Sequence, residues 1–198
     1  SGIFQVQHAS KKGIELVQRT SETHEQPDSK PYIALALSKA VRRGFFMEKT
    51  VELGAAGIYL WQADRSQGKI HPSLQENLTR QMIAGAKQCH NPWLPEIQLF
   101  PEGLGSLLEA TAPITQRILP WEMEAKTNMI PFDLLGTTGS TIYVIGPEGG
   151  FSEAELALLD REHFQKVSLG ERVLRCETAA ALCLGLHWWA ANIRRHVA

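Results

Sequence analysis

The sequence predicts an α/β fold, a parallel sheet with helices on both faces, and three observations support this prediction. Apolar runs of strand length alternate with helical stretches about six times between residues 32 and 194. Glycines or capping residues separate these stretches, as strand-to-helix turns require. The chain has 198 residues, 43% of them hydrophobic, which is enough for one domain of ~150 residues with a buried core.

The first 31 residues do not follow this alternation. Apolar and polar side chains alternate over residues 4–8, residues 14–17 form a second short apolar run, and Lys-Lys-Gly at 11–13 suits a hairpin turn. Because an isolated hairpin is marginal in water, we expect the chain to begin inside a domain whose earlier strands are not in this sequence. The polar, proline-bearing residues 21–31 are typical of a linker.

From residue 32 onward, short apolar runs predict strands, and longer capped segments predict helices. The predicted strands are 32–37, 58–61, 96–100, 114–119, 141–145 and 166–169. The predicted helices are 38–54, 73–89, 104–110, 153–162 and 178–194. Ser38 is a predicted N-cap, and the spacings Ser73–Glu76 and Ser152–Glu155 predict capping boxes. The last helix is apolar on nearly every side, which predicts burial in the core or in a dimer interface.

The charges of the chain are nearly balanced, since 20 lysines and arginines face 21 aspartates and glutamates, for a net charge of −1. This balance argues against attachment to nucleic acid or membrane by bulk charge, although a local basic patch is still allowed. Three cysteines do not make a secreted disulfide framework, no apolar run is long enough to span a bilayer, and no metal-ligand spacing occurs. We expect a soluble cytoplasmic protein without a metal.

The clearest chemical signal lies at residues 141–155, TIYVIGPEGGFSEAE. An apolar strand ends in a loop with three glycines, and a capped helix follows. Glycines let a ligand approach the backbone closely, and parallel sheets bind ligands at the carboxyl ends of their strands. No Walker A or GxGxxG pattern is present, which disfavours phosphate cradling. A tight turn without a ligand is the alternative interpretation.

Residues 168–180, SLGERVLRCETAA, repeat this arrangement of strand, glycine loop and helix. Arg172, Arg175 and Glu177 are predicted in that loop. Two arginines and a carboxylate beside a glycine turn suit either an anion site or a surface ion pair, and the latter contributes little to stability.

Together, GPEGGFSEAE and LGERVLRCETA resemble the ribosomal RNA small subunit methyltransferase E family, which belongs to the SPOUT class of knotted methyltransferases. EKTVELG at 48–54 and DRS at 64–66 are similar to further family motifs, and the resemblance covers about residues 32–194. It implies a SPOUT-type α/β sheet with a C-terminal trefoil knot, preceded by a remnant of a PUA-like β-barrel. The implied domains are a partial PUA-like RNA-binding domain at 1–25 and a SPOUT methyltransferase domain at 26–198.

The activity that this resemblance implies is methylation of N3 of one uridine in 16S rRNA, with S-adenosylmethionine (SAM) as cofactor. The implied partners are small-subunit rRNA, or the assembled small ribosomal subunit, and a second copy of the chain in a C2 homodimer. Arg175 would stabilise the anion that develops as the N3 proton leaves, and Glu177 would orient Arg175 or the base.

The family motifs also imply two sets of binding residues. The implied cofactor-binding residues are Leu119, Trp121, Gly146, Pro147, Glu148, Gly149, Gly150, Leu169, Gly170, Arg172, Val173, Leu174 and Thr178. The candidate RNA-binding residues are Lys39, Arg42, Arg43, Lys49 and Arg65. A solvated helix face is the alternative interpretation for the four that belong to one predicted helix.

The sequence departs from the family pattern at Lys87, where an acid is usual, and at Asn91, where arginine is usual. These departures concern the RNA contact rather than the cofactor loops. They leave a catalytically silent RNA-binding module of the same fold as an alternative. A hydrolase that uses Glu148 and Glu177 is a third possibility, but the sequence offers it no evident nucleophile or metal.

Overall fold

The computed structural model describes residues 1–37 and 43–197. Its elements follow in the order β1 (Gly2–Ser10), β2 (Gly13–Ser21), β3 (Ser29–Ala36), α1 (Arg43–Glu52), β4 (Gly57–Trp61), α2 (Leu74–Cys89), β5 (Glu96–Phe100), α3 (Leu104–Ala110), β6 (Gln116–Pro120), β7 (Gly139–Ile145), α4 (Glu153–Arg161), β8 (Gln165–Val167) and α5 (Cys176–Val197). The connection from β6 to β7 contains a 3₁₀ turn at Phe132–Leu134.

Strands β3 to β8 form one sheet in the order β5-β4-β3-β7-β6-β8, and every neighbouring pair is parallel. The chain builds β3, β4 and β5 outward in one direction and then returns to the other side of β3. This reversal creates a topological switch point, where open parallel sheets place their ligand sites. The predicted α/β fold with a parallel sheet is confirmed.

The strands are apolar on both faces because helices cover both faces of the sheet. On one face, Ile33 and Leu35 pack in a cluster with residues of α1, α2 and α5. On the other face, Ala34 and Ala36 pack in a second cluster with residues of α3 and α4. Alternate residues of β3 therefore serve two separate cores, and the predicted placement of helices on both faces is confirmed.

Strands β1 and β2 form the predicted antiparallel hairpin, with Ser10 paired to Gly13 across the turn. Five of its apolar side chains are more than half exposed. They are Ile3, Phe4, Val6, Ile14 and Leu16. The hairpin therefore has an apolar surface that the other described residues do not cover.

One predicted capping box is present and the other is wrong. Ser152 is extended at the N-cap of α4 and forms the reciprocal box with Glu155. Ser73, at the start of α2, is helical itself (φ −63°, ψ −13°) and makes no capping bond. An N-cap needs extended backbone to aim its side chain at the first turn, and the Ser73 hydroxyl instead lies 3.1 Å from His71 Nδ1. The predicted cap Ser38 lies outside the described residues.

Helix α5 begins at Cys176, two residues earlier than predicted, so Glu177 belongs to its first turn rather than to the loop. A carboxylate there is favoured by the helix dipole. The buried residues of α5 follow helical spacing along one stripe, whereas Trp188 and Trp189 are 49% and 52% exposed. The single chain therefore does not bury this helix on every side.

Buried His187 fixes α5 to the sheet. Its Nε2 lies 2.7 Å from Ser29 Oγ on β3, and its Nδ1 lies 2.9 Å from the Tyr143 hydroxyl on β7. Burial lowers the pKa of His187 to about 4, so the ring is neutral at physiological pH and can accept a hydrogen bond. None of the helices in residues 1–37 and 43–197 has the length and apolar character to cross a membrane.

The connection between β6 and β7 also contacts α5. Gly136 has φ +61°, and a β-carbon on it would lie 2.2 Å from the Ala191 nitrogen, so only glycine fits. The Arg194 guanidinium donates to the carbonyls of Phe132 and Leu135, at 3.1 Å each. This connection is thereby held against the C-terminal part of α5.

Candidate active site

A cavity opens where β6, β7 and β8 end. It is bounded by three segments, one after each strand. Its lining residues are Pro120, Trp121, Glu122, Lys126, Ile145, Gly146, Pro147, Glu148, Gly150, Phe151, Ser168, Leu169, Gly170, Arg172, Val173, Leu174, Cys176 and Ala179. The cavity thus lies at the carboxyl edge of the sheet, where parallel sheets bind ligands.

The loop after β7 is packed tightly against an aromatic pair. A β-carbon on Gly146 would lie 2.7 Å from the Phe151 ring, so this position requires glycine. Phe151 is buried and stacks on Trp61 at the end of β4, with ring centroids 6.1 Å apart. Gly150 has φ +71° and closes a turn by donating its N–H to the Pro147 carbonyl. The sequence places small residues here because the backbone itself forms the cavity wall.

The start of α4 anchors the same loop. Ser152 Oγ accepts from the Glu155 N–H, and Glu155 Oε2 accepts from the Ser152 N–H at 2.7 Å. Glu155 is only 4% exposed, and its other carboxylate oxygen, Oε1, accepts a hydrogen bond from the Asp64 N–H at 2.9 Å. A buried carboxylate is stable when such donors satisfy it, and this one joins the loop to the turn after β4.

The loop after β8 has fewer contacts outside the cavity. Ser168 donates its N–H to the Asn128 carbonyl at 2.7 Å and accepts from the Ile130 N–H at 3.3 Å. Gly170 has φ +118° with open space around the position of a β-carbon, and Val173 is 79% exposed. The apolar side chain of Val173 is exposed to solvent beside the cavity, so it is available to cover a bound ligand.

The segment after β6 supplies the third wall. Trp121 donates its backbone N–H to the Val167 carbonyl, and the Lys166 ammonium lies 5.0 Å from the centre of the Trp121 ring. Lys126 donates to the backbone carbonyl of Glu122 at 2.8 Å. The exposed Lys126 ammonium and the exposed Glu122 carboxylate therefore both lie on this side of the cavity.

Cys176 connects the cavity to two carboxylates. Its thiol lies 3.4 Å from Glu177 Oε2 and 3.9 Å from Glu148 Oε1. Burial, the hydrogen bond to Glu177 and the charge of Glu148 raise the pKa of this thiol to about 12. The thiol therefore stays protonated at neutral pH and is a hydrogen-bond donor rather than a nucleophile.

Ten of the thirteen predicted cofactor-binding residues line the cavity, and three do not. Leu119 is fully buried in the core, Gly149 packs against Arg65, and Thr178 is exposed on α5. The prediction omitted Phe151, Lys126 and Cys176, which do line the cavity. A large aromatic directly after a glycine loop was a usable signal for Phe151, whereas Lys126 lies on an irregular segment without a pattern.

The two predicted catalytic residues lie at the start of α5. Arg175 is exposed and stands between Leu174 and Cys176, both of which line the cavity. Glu177 is buried, at 8% exposure. Within residues 1–37 and 43–197, Arg175 and Glu177 do not form an ion pair with each other.

The predicted RNA-binding residues are only partly visible. Lys39 and Arg42 lie outside the described residues, and nothing is described of the Arg43 side chain. Lys49 pairs with Glu52 at 2.6 Å on its own helix. Arg65 lies in the turn after β4 and donates to the Gly149 carbonyl at 3.1 Å.

Comparison with known proteins agrees with this geometry. The family model described as an RNA methyltransferase domain matches residues 24–188. Ribosomal RNA small subunit methyltransferase E of Mesomycoplasma hyopneumoniae (strain 232) is 31% identical over 173 residues, 86% of this chain and 74% of the relative. The protein of the same name from Bacillus subtilis (strain 168) is 29% identical over 178 residues, 85% of this chain and 69% of its own.

Solved structures agree as well. A Legionella pneumophila protein, solved in complex with the bound cofactor SAM, superposes with a TM-score of 0.81 and 26% identity. The match covers 94% of this chain and 77% of that one. The chain therefore belongs to the RNA methyltransferase domain family and, within it, to the ribosomal RNA small subunit methyltransferase E proteins.

Proposed function

We propose that this chain transfers a methyl group from SAM to N3 of a specific uridine in 16S rRNA. The relatives bear the name of a small-subunit rRNA methyltransferase, and a structural neighbour holds SAM. The observation that carries the proposal is the cavity at the carboxyl ends of β6, β7 and β8, lined by both glycine loops. An enzyme that uses a nucleoside cofactor needs such a backbone-lined cleft.

The residues of the cavity fit SAM. Ile145, Leu169 and Leu174 offer an apolar surface for the adenine ring, and glycine backbone lies at the edges. Glu122 and Glu148 add negative charge beside a ligand that carries a sulfonium cation. When bound, SAM supplies the electrophilic methyl group. Backbone N–H and C=O groups of the loops hold it, and the cavity fixes its orientation.

The protein's own part in the reaction is to align the base and to stabilise its charge. Arg175 is exposed and lies between two cavity-lining residues, so its guanidinium can contact the uracil and stabilise the anion formed when N3 gives its proton to water. Glu177, buried in the first turn of α5, accepts a hydrogen bond from the Cys176 thiol, which also lies 3.9 Å from Oε1 of the cavity-lining Glu148. Alignment of nitrogen, methyl and sulfur supplies much of the rate.

The proposal includes the domain organisation implied by the family. Residues 1–25 belong to a PUA-like RNA-binding domain, and the exposed apolar side chains of the hairpin support this because a β-barrel would cover them. Residues 26–198 are the SPOUT domain with a trefoil knot. The pairing of Met129 with Ser168 and the contacts of Arg194 with residues 132–135 support the knot, because they hold the β6–β7 connection against the C-terminal segment.

The active form is a C2 homodimer of chains located in the cytoplasm. Trp188, Trp189 and Phe132 are each about half exposed, and the rings of Phe132 and Trp189 are in edge contact at 5.8 Å. Apolar surfaces of this kind mark protein interfaces. Light scattering at micromolar concentration should give twice the mass of one chain, and a monomer would contradict the dimer.

The departures from the family pattern do not favour a catalytically silent module. Asn91 donates its amide to the Val51 carbonyl and accepts from the Trp93 N–H, at 2.9 Å each. It therefore fixes the segment that leads into the amino end of β5. Lys87 lies in the last turn of α2 and is not among the lining residues of the cavity. Both sites leave the cofactor cavity unchanged.

Calorimetric titration with SAM tests the proposal, with Gly146→Ala as the variant and Gly105→Ala as its control. The added methyl group meets the Phe151 ring at position 146 but open space at position 105. We expect saturable binding by the parent chain, affinity at least tenfold weaker in Gly146→Ala, and no change in Gly105→Ala.

Transfer of labelled methyl from SAM is then measured with unmodified 16S rRNA and with unmodified small ribosomal subunits, followed by mapping of the methylated base. Product at uridine N3 is the expected result. A folded parent chain that does not bind SAM contradicts the enzyme assignment. SAM and RNA binding without transfer would identify a silent module, and methylation elsewhere than N3 would overturn the proposed position alone.

A further inference from the structure

The turn after β4 holds the cofactor loop from outside the cavity. The Arg65 guanidinium donates through Nη1 to the Gly149 carbonyl at 3.1 Å. A β-carbon on Gly149 would lie 3.0 Å from the Arg65 β-carbon and 3.3 Å from its carbonyl oxygen. Backbone and side chain of Arg65 thus lie against the back of the loop whose other side lines the cavity.

Asp64 secures this contact independently of Arg65. Its carboxylate accepts from the Ser152 hydroxyl at 2.6 Å, and its N–H donates to Glu155 Oε1 at 2.9 Å. Asp64 therefore fixes the turn to the start of α4, and the side chain of Arg65 is not needed to keep the turn in place. Within the part of the chain that the structure describes, the guanidinium adds a hydrogen bond to the Gly149 carbonyl.

Arg65 is also exposed. A guanidinium carries five N–H donors in a planar fork that suits phosphate oxygens, and the bond to Gly149 uses Nη1. The guanidinium also lies close to the cavity. A β-carbon added to the neighbouring Gly150 would lie 4.0 Å from Arg65 Nη1 and 3.5 Å from a carboxylate oxygen of Glu122, which lines the cavity. One side chain thus reaches both solvent, where RNA would approach, and the cofactor loop.

We propose that Arg65 is a positioning residue that couples RNA binding to cofactor binding, by donating to an RNA phosphate and to the Gly149 carbonyl at once. This inference rests on the proposed function. A phosphate that fixes the guanidinium also reduces the motion of the Gly146–Gly150 loop, so SAM then binds a loop that is already ordered. Linkage requires the reverse as well, so SAM strengthens RNA binding by the same factor.

The test is the SAM dissociation constant, measured by calorimetry with and without saturating RNA. The RNA is unmodified 16S rRNA or the unmodified small subunit, whichever binds the parent chain. We expect RNA to strengthen SAM binding at least about fivefold in the parent chain, the lower end of typical couplings between sites. In Arg65→Ala this ratio should fall to about one, because the bridge is gone.

Lys69→Ala is the matched control, since Lys69 is an exposed cation four residues farther along that does not line the cofactor cavity. It removes the same charge, so RNA affinity should fall by the same order while the coupling ratio stays at the parent value. Thermal unfolding of each variant without ligand verifies that the fold is intact.

A coupling ratio of one in the parent chain, or an unchanged ratio in Arg65→Ala, would overturn the inference and leave the proposed function standing. Equal loss of the ratio in Lys69→Ala would also overturn it, because charge rather than the bond to Gly149 would then be responsible. A parent chain that binds SAM but neither RNA form would instead count against the proposed function.

Discussion

The loops after β7 and β8 face each other across one cavity but are held differently. The Gly146–Ser152 segment is fixed from behind by Arg65, Asp64 and the Phe151–Trp61 stack. The Ser168–Arg175 segment is fixed mainly at Ser168, beyond which Val173 extends into solvent. The first loop is therefore part of the folded core, whereas the second has local bonds and few others.

This difference indicates how the site divides its work. A loop with packed aromatics and a buried carboxylate presents a preformed backbone surface, so it orients a ligand without much ordering cost. A loop with exposed apolar side chains gains contacts only when a ligand arrives. Substitutions in the first loop should thus lower stability and affinity together, and those in the second should lower affinity more than stability.

The largest expected effect is that of Phe151→Ala. Removal of a buried ring that stacks on Trp61 and supports Gly146 should lower the free energy of unfolding by about 3–5 kcal/mol. Urea denaturation measures this loss. Phe45→Ala removes a phenylalanine that is 53% exposed and should cost much less; equal losses would mean that the first loop is not part of the core.

Glu155→Gln should lower the free energy of unfolding by about 1.5–3 kcal/mol, the contribution of hydrogen bonds to a charged group. The buried carboxylate accepts from the backbone N–H groups of Asp64 and Ser152, and an amide can keep only one oxygen for them. Glu153→Gln, in the same turn but exposed, is the control. Identical denaturation curves for the two variants would contradict the role given to Glu155.

Gly170→Ala tests the second loop, with an expected loss of about 1–2 kcal/mol from backbone strain at φ +118°. No atom lies within 4 Å of the added methyl group, so packing is not disturbed. The melting temperature should fall modestly, and SAM affinity should fall more than stability does. A drop in stability as large as that of Phe151→Ala would remove the contrast between the loops.

Val173→Ser should give the smallest change in stability, within about 0.5 kcal/mol, because the side chain is 79% exposed. SAM affinity should nevertheless fall severalfold, since a residue that lines the cavity loses its apolar contact with the ligand. Val197→Ser, at an equally exposed valine outside the cavity, should leave both quantities unchanged. Unaltered SAM affinity in Val173→Ser would show that the second loop does not cover the ligand.

Strands were predictable from the sequence because both faces of this sheet are buried, which makes each strand a continuous apolar run. Strand β5 agrees with its prediction at both ends, and β8 differs at its end because Ser168 and Leu169 already belong to the loop. Helix starts were harder. Ser73 and Ser152 have the same spacing to a glutamate, yet they differ in the backbone angle that capping depends on.

The cavity was predictable where chemistry lies in short motifs, as at Gly146 and Gly170. It was not predictable where distant segments meet. Nothing in the local sequence indicates that Arg65 bonds to Gly149, because 84 residues separate the pair. The assignment of Gly149 to the cofactor was reasonable for a glycine loop, but the structure turns this residue toward Arg65.

Helix α5 follows every strand of the sheet along the chain, yet it supplies Cys176 and Ala179 to the cavity. During translation all six strands of the sheet leave the ribosome before this helix does. The wall of the cofactor cavity is therefore complete only when α5, which His187 joins to β3 and β7, is present. A nascent chain that has not yet released α5 lacks these two lining residues, so we expect it to gain less stability from the cofactor than the complete chain does.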